Sequence, residues 1–476
     1  MAEMIIPGTY IEVRAEGLVT PTPVSISNVA VIGTARRGPV NEVVVLSSFS
    51  GGRDTFGAYD AYERPDETGS PLTLVRALEL AYGNGAQNVF AVRVAGAGAT
   101  NATYTLAASG GTPMTLEARQ PGTGLNDAAI VVETGVAGLN VSITTADKRL
   151  RETWRDVPAA AEEFARVING EHADYPFARN ASTGGRSQLF RAVAAGVTGN
   201  MSVGSATAVT PGVSGAAGAS YADALELLLN ENVHIIVLAG QSDATMATAL
   251  EAHCQNASTD TIKRDRIGIF GAEDDQLSSI TTHPDSDRLV YCGPGIVTYD
   301  NTLRAPVELP PAYTAAAVAG LIASLDPHVS PTNKSLRVSG VTTRYNGAQI
   351  EQILLGRSLV LEDRLGAVKV VQGLTTASDT AWRQITTRRI VDYAKFGVRS
   401  ACDPFIGKLN NDRVRQALKG TVNSFLADMV DREMLISYDL DVSATRAQQI
   451  RGIAQVTMTL RPTFSIDYIR VVMNLE

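Results

Sequence analysis

The stretch GQSDA at 240–244 follows the apolar run VHIIVLA and precedes a helical pattern. That order approximates the G-x-S-x-G elbow, in which a sharp strand-to-helix turn presents a serine nucleophile above an α/β sheet. Ser242 would then need an acid and a histidine base, and His253, His283 and His328 are the downstream candidates. Against this, Ala244 stands where the elbow requires glycine. The competing assignment is structural: Ser242 or Asp243 caps the helix ATMATALEAHC by accepting a hydrogen bond from its first amides, and this is the favoured reading.

No other stretch carries chemistry as strongly. AGAGAT at 95–100 is glycine-rich but lacks the spacing of a phosphate loop, and the acidic group EDD at 273–275 lacks that of a calcium loop. The five histidines show no metal-ligand spacing, and Cys254, Cys292 and Cys402 are too far apart for a disulfide framework or a CxxC site. No metal or other cofactor is therefore expected. A formal charge of −8 and a pI near 5.3 argue against non-specific nucleic-acid binding, which needs a basic surface to displace counterions from phosphates. The opening MAEMIIPGTYIEV has no basic region followed by an apolar stretch, and no window reaches the length of a membrane span. The expectation is a protein made in the cytoplasm that does not insert into membranes.

At 476 residues, with 45% hydrophobic and 19% charged, the chain is long enough for about three globular domains. Only 6% is aromatic, while glycine is abundant, a composition suited to β-structure and close backbone contacts. NVAVIGTARRGPVNEVVVLSSF gives two apolar strands around a Gly38-Pro39 turn. SPLTLVRALELAYGNGAQNVFAVRVAG then gives a helix, with Leu74, Val75, Leu78 and Tyr82 on one face, and another buried strand. From 221 onward, helices alternate with near-continuous apolar strands, the pattern of βα units around a sheet covered on both faces. Between about 97 and 215, short alternating runs separated by Gly, Pro and Asn suggest a β-rich insertion. It contains one helix, VPAAAEEFARVING, with Asp156 as its expected cap, and ends in a connector at 204–220 that is flexible by composition. The fold class is thus a multidomain α+β / α/β chain of mixed sheets and flanking helices, with a β-rich inserted domain. The expected boundaries are 1–25 for an N-terminal strand and linker, 26–96 plus 216–335 for an α/β middle domain, 97–215 for the insertion and 336–476 for a C-terminal domain.

Strand patterns also occupy both ends of the sequence. Tyr10, Ile11 and Val13 fall in an alternating run broken by Pro21 and Pro23. At the other end, Gly452 to Leu460 alternates, and a second run carries Phe464, Ile466, Tyr468, Ile469, Val471 and Val472. Such runs leave apolar side chains and unpaired backbone groups exposed unless a sheet accepts them. Read together, IPGTYIEV, SNVAVIGTARRGPVNEVVVLSSFS, PPAYTAAAVAGLIASLD with SPTNKSL, AWRQITTRRIVDYAKFGVRSAC and NDRVRQALKGTVNSFLADMVDREML resemble, in order, the contractile tail sheath family of phages and related injection machines. The resemblance implies a structural protein without an active site. It would polymerise into a helical tube around an inner tail tube, contact baseplate and tail terminator proteins, reside in a contractile virion tail after assembly in the host cytoplasm, and exchange its terminal strands with neighbouring copies. The insertion would face outward.

Attachment to the inner tube would need a releasable contact. The helix from Asp412 to Met434 has an apolar stripe of Val414, Leu418, Val422, Phe425 and Met429, which should pack inward and leave Arg413, Arg415, Lys419 and Asp428 for another surface or for solvent. Three readings compete with a phage sheath. One is the sheath of a bacterial injection apparatus or tailocin, built on the same physics; the others are a hydrolase using Ser242 and a carbohydrate-binding module built on the insertion. The last is disfavoured by the scarcity of aromatic residues for sugar stacking.

Overall fold

The computed structural model describes residues 27–60, 62, 72–172, 185–216 and 219–474. The strand expected at Tyr10, Ile11 and Val13 lies outside the described residues. The chain forms two compact units. One is Ser27–Asp326 with Pro331–Arg383; the other includes Pro327–Ser330 and the residues from Gln384 onward.

The larger unit is organised by the apolar runs. They form β1 (Val29–Gly33), β2 (Val43–Leu46), β3 (Val89–Arg93), β4 (Ile235–Leu238), β5 (Ile267–Gly271), β6 (Leu289–Gly293), β7 (Leu359–Arg364) and β8 (Ala367–Val370). Their spatial order is β2-β3-β1-β4-β5-β6-β7-β8. The six central strands are parallel, while β2 and β8 are antiparallel edges. β1, β3, β4, β5 and β6 are buried along their whole length, as expected of parallel strands covered on both faces. This pairing corrects the boundary expected at 336. β7 pairs with β6 and β8 with β7, so residues up to Arg383 belong to the larger unit.

Helices α1 (Leu74–Gly83), α2 (Ala244–Ala257) and α3 (Pro311–Ser324) accompany the sheet. α3 is buried from Pro311 to Ala323. Its small residues allow close approach to α1: a Cβ on Gly320 would stand 2.2 Å from the Ala81 carbonyl oxygen. The helix Phe49–Phe56 was not legible in the sequence, because Gly51 and Gly52 argue against helix. It forms with Ser48 accepting from the Gly51 amide at 3.2 Å, and Gly52 leaves room for Leu46 and Leu78.

The inserted region has its own core, running from Ala102 to Met201 and including Tyr104, Trp154, Phe164 and Phe190. Tyr104 donates to the Leu125 carbonyl at 2.7 Å, accepts from the Ala128 amide at 3.0 Å and meets Phe190 edge to face. Two sequence expectations are corrected here. Thr207–Thr210, inside the supposed connector, is a strand paired with Thr103–Leu106, and Gly204–Ser205 pairs with Val131 and Val132; the β-branched alternation of TAVT prevails over the glycine-rich surroundings. Asp156 does not cap the helix Ala161–Asn169, whose cap residue is Ala160. It sits at positive φ (53°), and its carboxylate accepts from the Ala137 amide at 2.9 Å.

One buried ion pair ties distant parts of the larger unit together. Arg76 on α1 donates to Asp300 at 2.8 Å, with side chains 3% and 0% exposed. Asp300 also accepts from the Thr302 and Leu303 amides at 2.7 and 3.1 Å, and the guanidinium lies 4.3 Å from the Tyr59 ring centre. Burial by itself would raise the Asp300 pKa, but the Arg76 hydrogen bond, the two amides and the Arg76 charge together hold it below its ordinary value. A carboxylate depressed in the fold stabilises above its unfolded pKa, and that contribution is lost as pH falls through the folded value. Acid unfolding should therefore set in below about pH 4 and be less steep in Asp300→Asn. Arg76→Ala, which strands a buried carboxylate, should cost about 3–5 kcal/mol in chemical denaturation at pH 7.

Candidate functional site

The serine elbow resolves into a helix cap. Asp243 is the N-cap of α2 and accepts from the Thr245 amide at 2.6 Å. His253 lies on the same helix, 11 residues beyond Ser242, which at helical rise is about 16 Å away. It is buried against the Arg266 guanidinium at 3.1 Å, and burial, then the Arg266 charge, lowers its pKa to about 4. His283 is held between the carbonyls of Pro284 and Gly356. Both histidines thus have partners other than Ser242. Among the described residues, no group of His, Cys, Asp and Glu could hold a metal ion, and no helix is long and apolar enough to cross a membrane.

The smaller unit presents a different kind of site. Helix α4 (Ile385–Cys402) and helix α5 (Asp412–Asp431) pack together, with the Tyr393 and Phe425 rings stacked 5.8 Å apart. Gly397 is needed for this approach, since a Cβ there would stand 1.9 Å from Phe425 Cζ. Asn411 caps α5 by accepting from the Val414 amide at 2.9 Å. Of the expected apolar stripe, Leu418, Val422, Phe425 and Met429 are buried, and Val414 is half-buried.

The polar face needs one correction. Arg415 is buried and donates to the Asn410 side chain at 2.7 Å, to the Asn410 carbonyl at 3.2 Å and to Asp412. It holds the turn before α5 rather than facing outward, because a guanidinium leaves water only where acceptors replace it. Arg413 is exposed. Lys419 lies 3.6 Å from Asp441, and Asp428 pairs with Arg432 at 3.0 Å.

Beyond α5 come β9 (Leu435–Ser443) and β10 (Gln455–Pro462), joined through the short helix Arg446–Ile450. They are antiparallel, from Leu435 opposite Pro462 to Ser443 opposite Gln455. Val442 is buried, and Tyr438, Leu440, Val456 and Leu460 pack partly onto the helical core. The Tyr438 hydroxyl donates to the Asn423 side chain at 2.9 Å, fastening the hairpin to α5. Among the described residues this sheet has only these two strands, so each presents an outer edge of unpaired amides and carbonyls.

The alternation read at 452–460 is thus a strand, but the run from Phe464 to Val472 is not a strand of this fold. Its first part is pinned: the Thr463 amide donates to the Met434 carbonyl at 3.1 Å, and Gln384 bonds the Ser465 amide at 3.4 Å and Asp467 at 3.0 Å. Phe464, Ile466, Tyr468, Ile469, Val471, Val472 and Met473 are 56–85% exposed. An apolar run this exposed is a candidate interaction site. The sequence located the run but gave no sign of the Gln384 pin. Arg415→Ala should lower the stability of this unit by about 1–3 kcal/mol, whereas Lys419→Glu should change it by less than about 0.5 kcal/mol, both read from urea midpoints.

Comparison with known proteins bears on this arrangement. Residues 214–376 match the family model of the phage tail sheath protein central domain, and residues 377–476 that of the phage tail sheath C-terminal domain. A tail sheath protein of Bacillus phage SP01 is 29% identical over 251 residues, 50% of this chain and 43% of that relative. The chain thus matches less than half of that relative's length. Among solved structures, the sheath tail protein from Desulfitobacterium hafniense superposes with a TM-score of 0.67 at 16% identity, covering 96% of this chain and 100% of that one. The sheath tail protein Lin1278 from Listeria innocua gives 0.64 at 17% identity, over 94% and 98%. The sheath of an extracellular contractile injection system in its contracted state gives 0.58 at 12% identity, over 99% and 98%. At these identities the likeness is one of fold.

Proposed function

The chain belongs to the phage tail sheath protein family, and from that premise we propose that it is a structural subunit that polymerises into a helical tube around an inner tail tube and contracts to drive that tube through a host envelope. The observation that carries this reading is the pairing of a sheet that has only two strands among the described residues with an adjacent, highly exposed apolar segment, 464–473. A donor strand from one copy and an acceptor edge on the next make a head-to-tail contact. Contacts of that kind that do not close into a ring generate a filament.

The magnitudes are balanced. About six ladder hydrogen bonds at ~1 kcal/mol each and four buried aliphatic side chains at ~1.5–3 kcal/mol each oppose an ordering cost of ~1–2 kcal/mol for each of about eight residues. A single joint nets a few kcal/mol, and several joints per subunit make a firm mesh. In this reading Tyr10, Ile11 and Val13 supply a second donor strand, and the proline-bearing segment 20–24 keeps copies linked while rigid domains rotate. The insertion, as the most separate core of the larger unit, faces outward. Arg413, Lys419 and Asp428 offer a salt-sensitive contact to the tube protein; Arg415, being buried, does not. Baseplate and terminator proteins bind the two ends of the tube, which places the protein in a contractile particle, either a phage virion or an injection apparatus. No catalytic role is assigned to Ser242.

Removal of residues 464–476, or of 1–20, should leave a folded monomer that forms no tubes by negative-stain microscopy, and normal tubes from either truncation would overturn the strand-exchange reading. Lys419→Glu should keep sheath assembly but weaken co-assembly with the tube protein, most visibly at low salt.

A further inference from the structure

A cleft of about 490 Å³ lies within the larger unit, where the inserted region meets the body that carries the parallel sheet. The body contributes Arg37, Glu42 and Asp54 to its lining, and the insertion contributes Arg186. Pro39, Leu125, Leu150 and Leu189 make the rest of the lining largely apolar. Small-molecule sites have this size and character, and they favour the seams between structural blocks.

Two ion pairs brace the seam. Arg37 pairs with Asp147 at 3.3 Å and Arg149 with Asp54 at 2.7 Å, so each joins body to insertion and compensates one lining charge. Behind the wall stands a charge that has no such compensation. Arg93, the last residue of β3, is 0% exposed. It donates at 2.7 Å to the carbonyl of Gly38, a residue of the cleft wall, while its Nε and Nη2 have no hydrogen-bond partner. The turn at Gly122 closes over it: a Cβ on that glycine would stand 2.9 Å from Arg93 Nη2. Burial lowers the Arg93 pKa to about 10, with no carboxylate acting to raise it, so the guanidinium stays charged at pH 7. A buried cation without a counter-ion is costly, and an unsatisfied buried group of this kind calls for a bound partner or another explanation.

We propose that the cleft binds a small organic monoanion, a carboxylate on an apolar body, with the carboxylate against the Gly38 wall in the field of Arg93 and the apolar part on Leu125, Leu150 and Leu189. The charge of the ligand follows from the charges around it. The two ion pairs balance, Arg186 offsets Glu42, and Arg93 leaves a single positive charge in excess. Because Arg93 is screened from water, its field across the wall is weakened little. Glu42, exposed at the cleft, opposes a ligand of higher negative charge. In a chain of formal charge −8, the general field repels anions, so uptake here would be specific to the site. The inference stands independently of the assembly reading.

Benzoate is the probe, with benzyl alcohol as its neutral counterpart and acetate as the anion without an apolar body. Titration calorimetry on the full-length chain at pH 7, with ionic strength held constant by chloride, should show benzoate binding one per chain. Benzyl alcohol and acetate should each bind at least about tenfold more weakly. Arg93→Met should abolish the preference for benzoate over benzyl alcohol. Arg186→Ala, at an exposed position, should weaken benzoate about tenfold and carries the test independently of how Arg93→Met folds. Equal binding of benzoate and benzyl alcohol would overturn the anion assignment. Absence of benzoate binding, or binding unchanged in Arg186→Ala, would overturn the site, and none of these outcomes bears on tube formation.

Discussion

Two strands cannot close a sheet. β9 and β10 satisfy each other along one side, and among the described residues no third strand pairs with either outer side. The rest of the smaller unit follows from that constraint. α4 and α5 supply the hydrophobic backing that a lone hairpin lacks, with Tyr393 and Phe425 stacked behind it and Tyr438 fastening the sheet to α5. One face of the hairpin is thereby fixed, while no described strand takes either edge. The Gln384 contacts hold the departing segment at its root, so that its apolar part leaves from a defined place. An exposed edge beside an exposed apolar segment is ordinarily an aggregation hazard; in the proposed lattice the same pair would be the joint.

The larger unit is built in the opposite way. Its sheet is parallel through the middle and buried on both faces, α3 packs backbone to backbone against α1 at Gly320, and the Arg76–Asp300 pair is fully removed from solvent. Buried ion pairs contribute little net stability but are costly to break, which suits the rigid body that the proposed contraction requires. A lattice that stores energy in one arrangement and releases it in another needs parts that rotate as wholes, and closely packed cores are bistable at their boundaries rather than soft throughout.

Much of this was legible in the residues. The apolar runs at 29–33, 89–93, 235–238, 267–271 and 289–293 announced the parallel sheet, and the stripe from Leu418 to Met429 announced α5. The candidate site was half legible: alternation at 452–460 named a strand, and the β-branched run after Pro462 named something in need of cover. Where reading failed, a local signal was overruled by a partner distant in sequence. Gly51 and Gly52 disfavour a helix locally, yet one forms where Leu46 and Leu78 pack over Gly52. The 204–220 composition said connector, but Thr103–Leu106 offered Thr207–Thr210 an edge. Arg415 read as an exposed cation because its spacing put it off the apolar stripe, and only the fold of the preceding turn brought Asn410 and Asp412 around it.

By itself the sequence determined the apolar strands of the large sheet, the helices α1 and α5, and that the terminal run is too apolar to stand alone, because periodicity and residue type are local properties carried by each stretch. The tertiary structure decided which strands share a sheet, that β7 and β8 join the larger unit, that the hairpin has no third strand among the described residues, and that the terminal segment is rooted at Gln384 and exposed beyond it. Pairing is a competition among distant edges and faces, and its outcome depends on which of them the rest of the fold has already occupied.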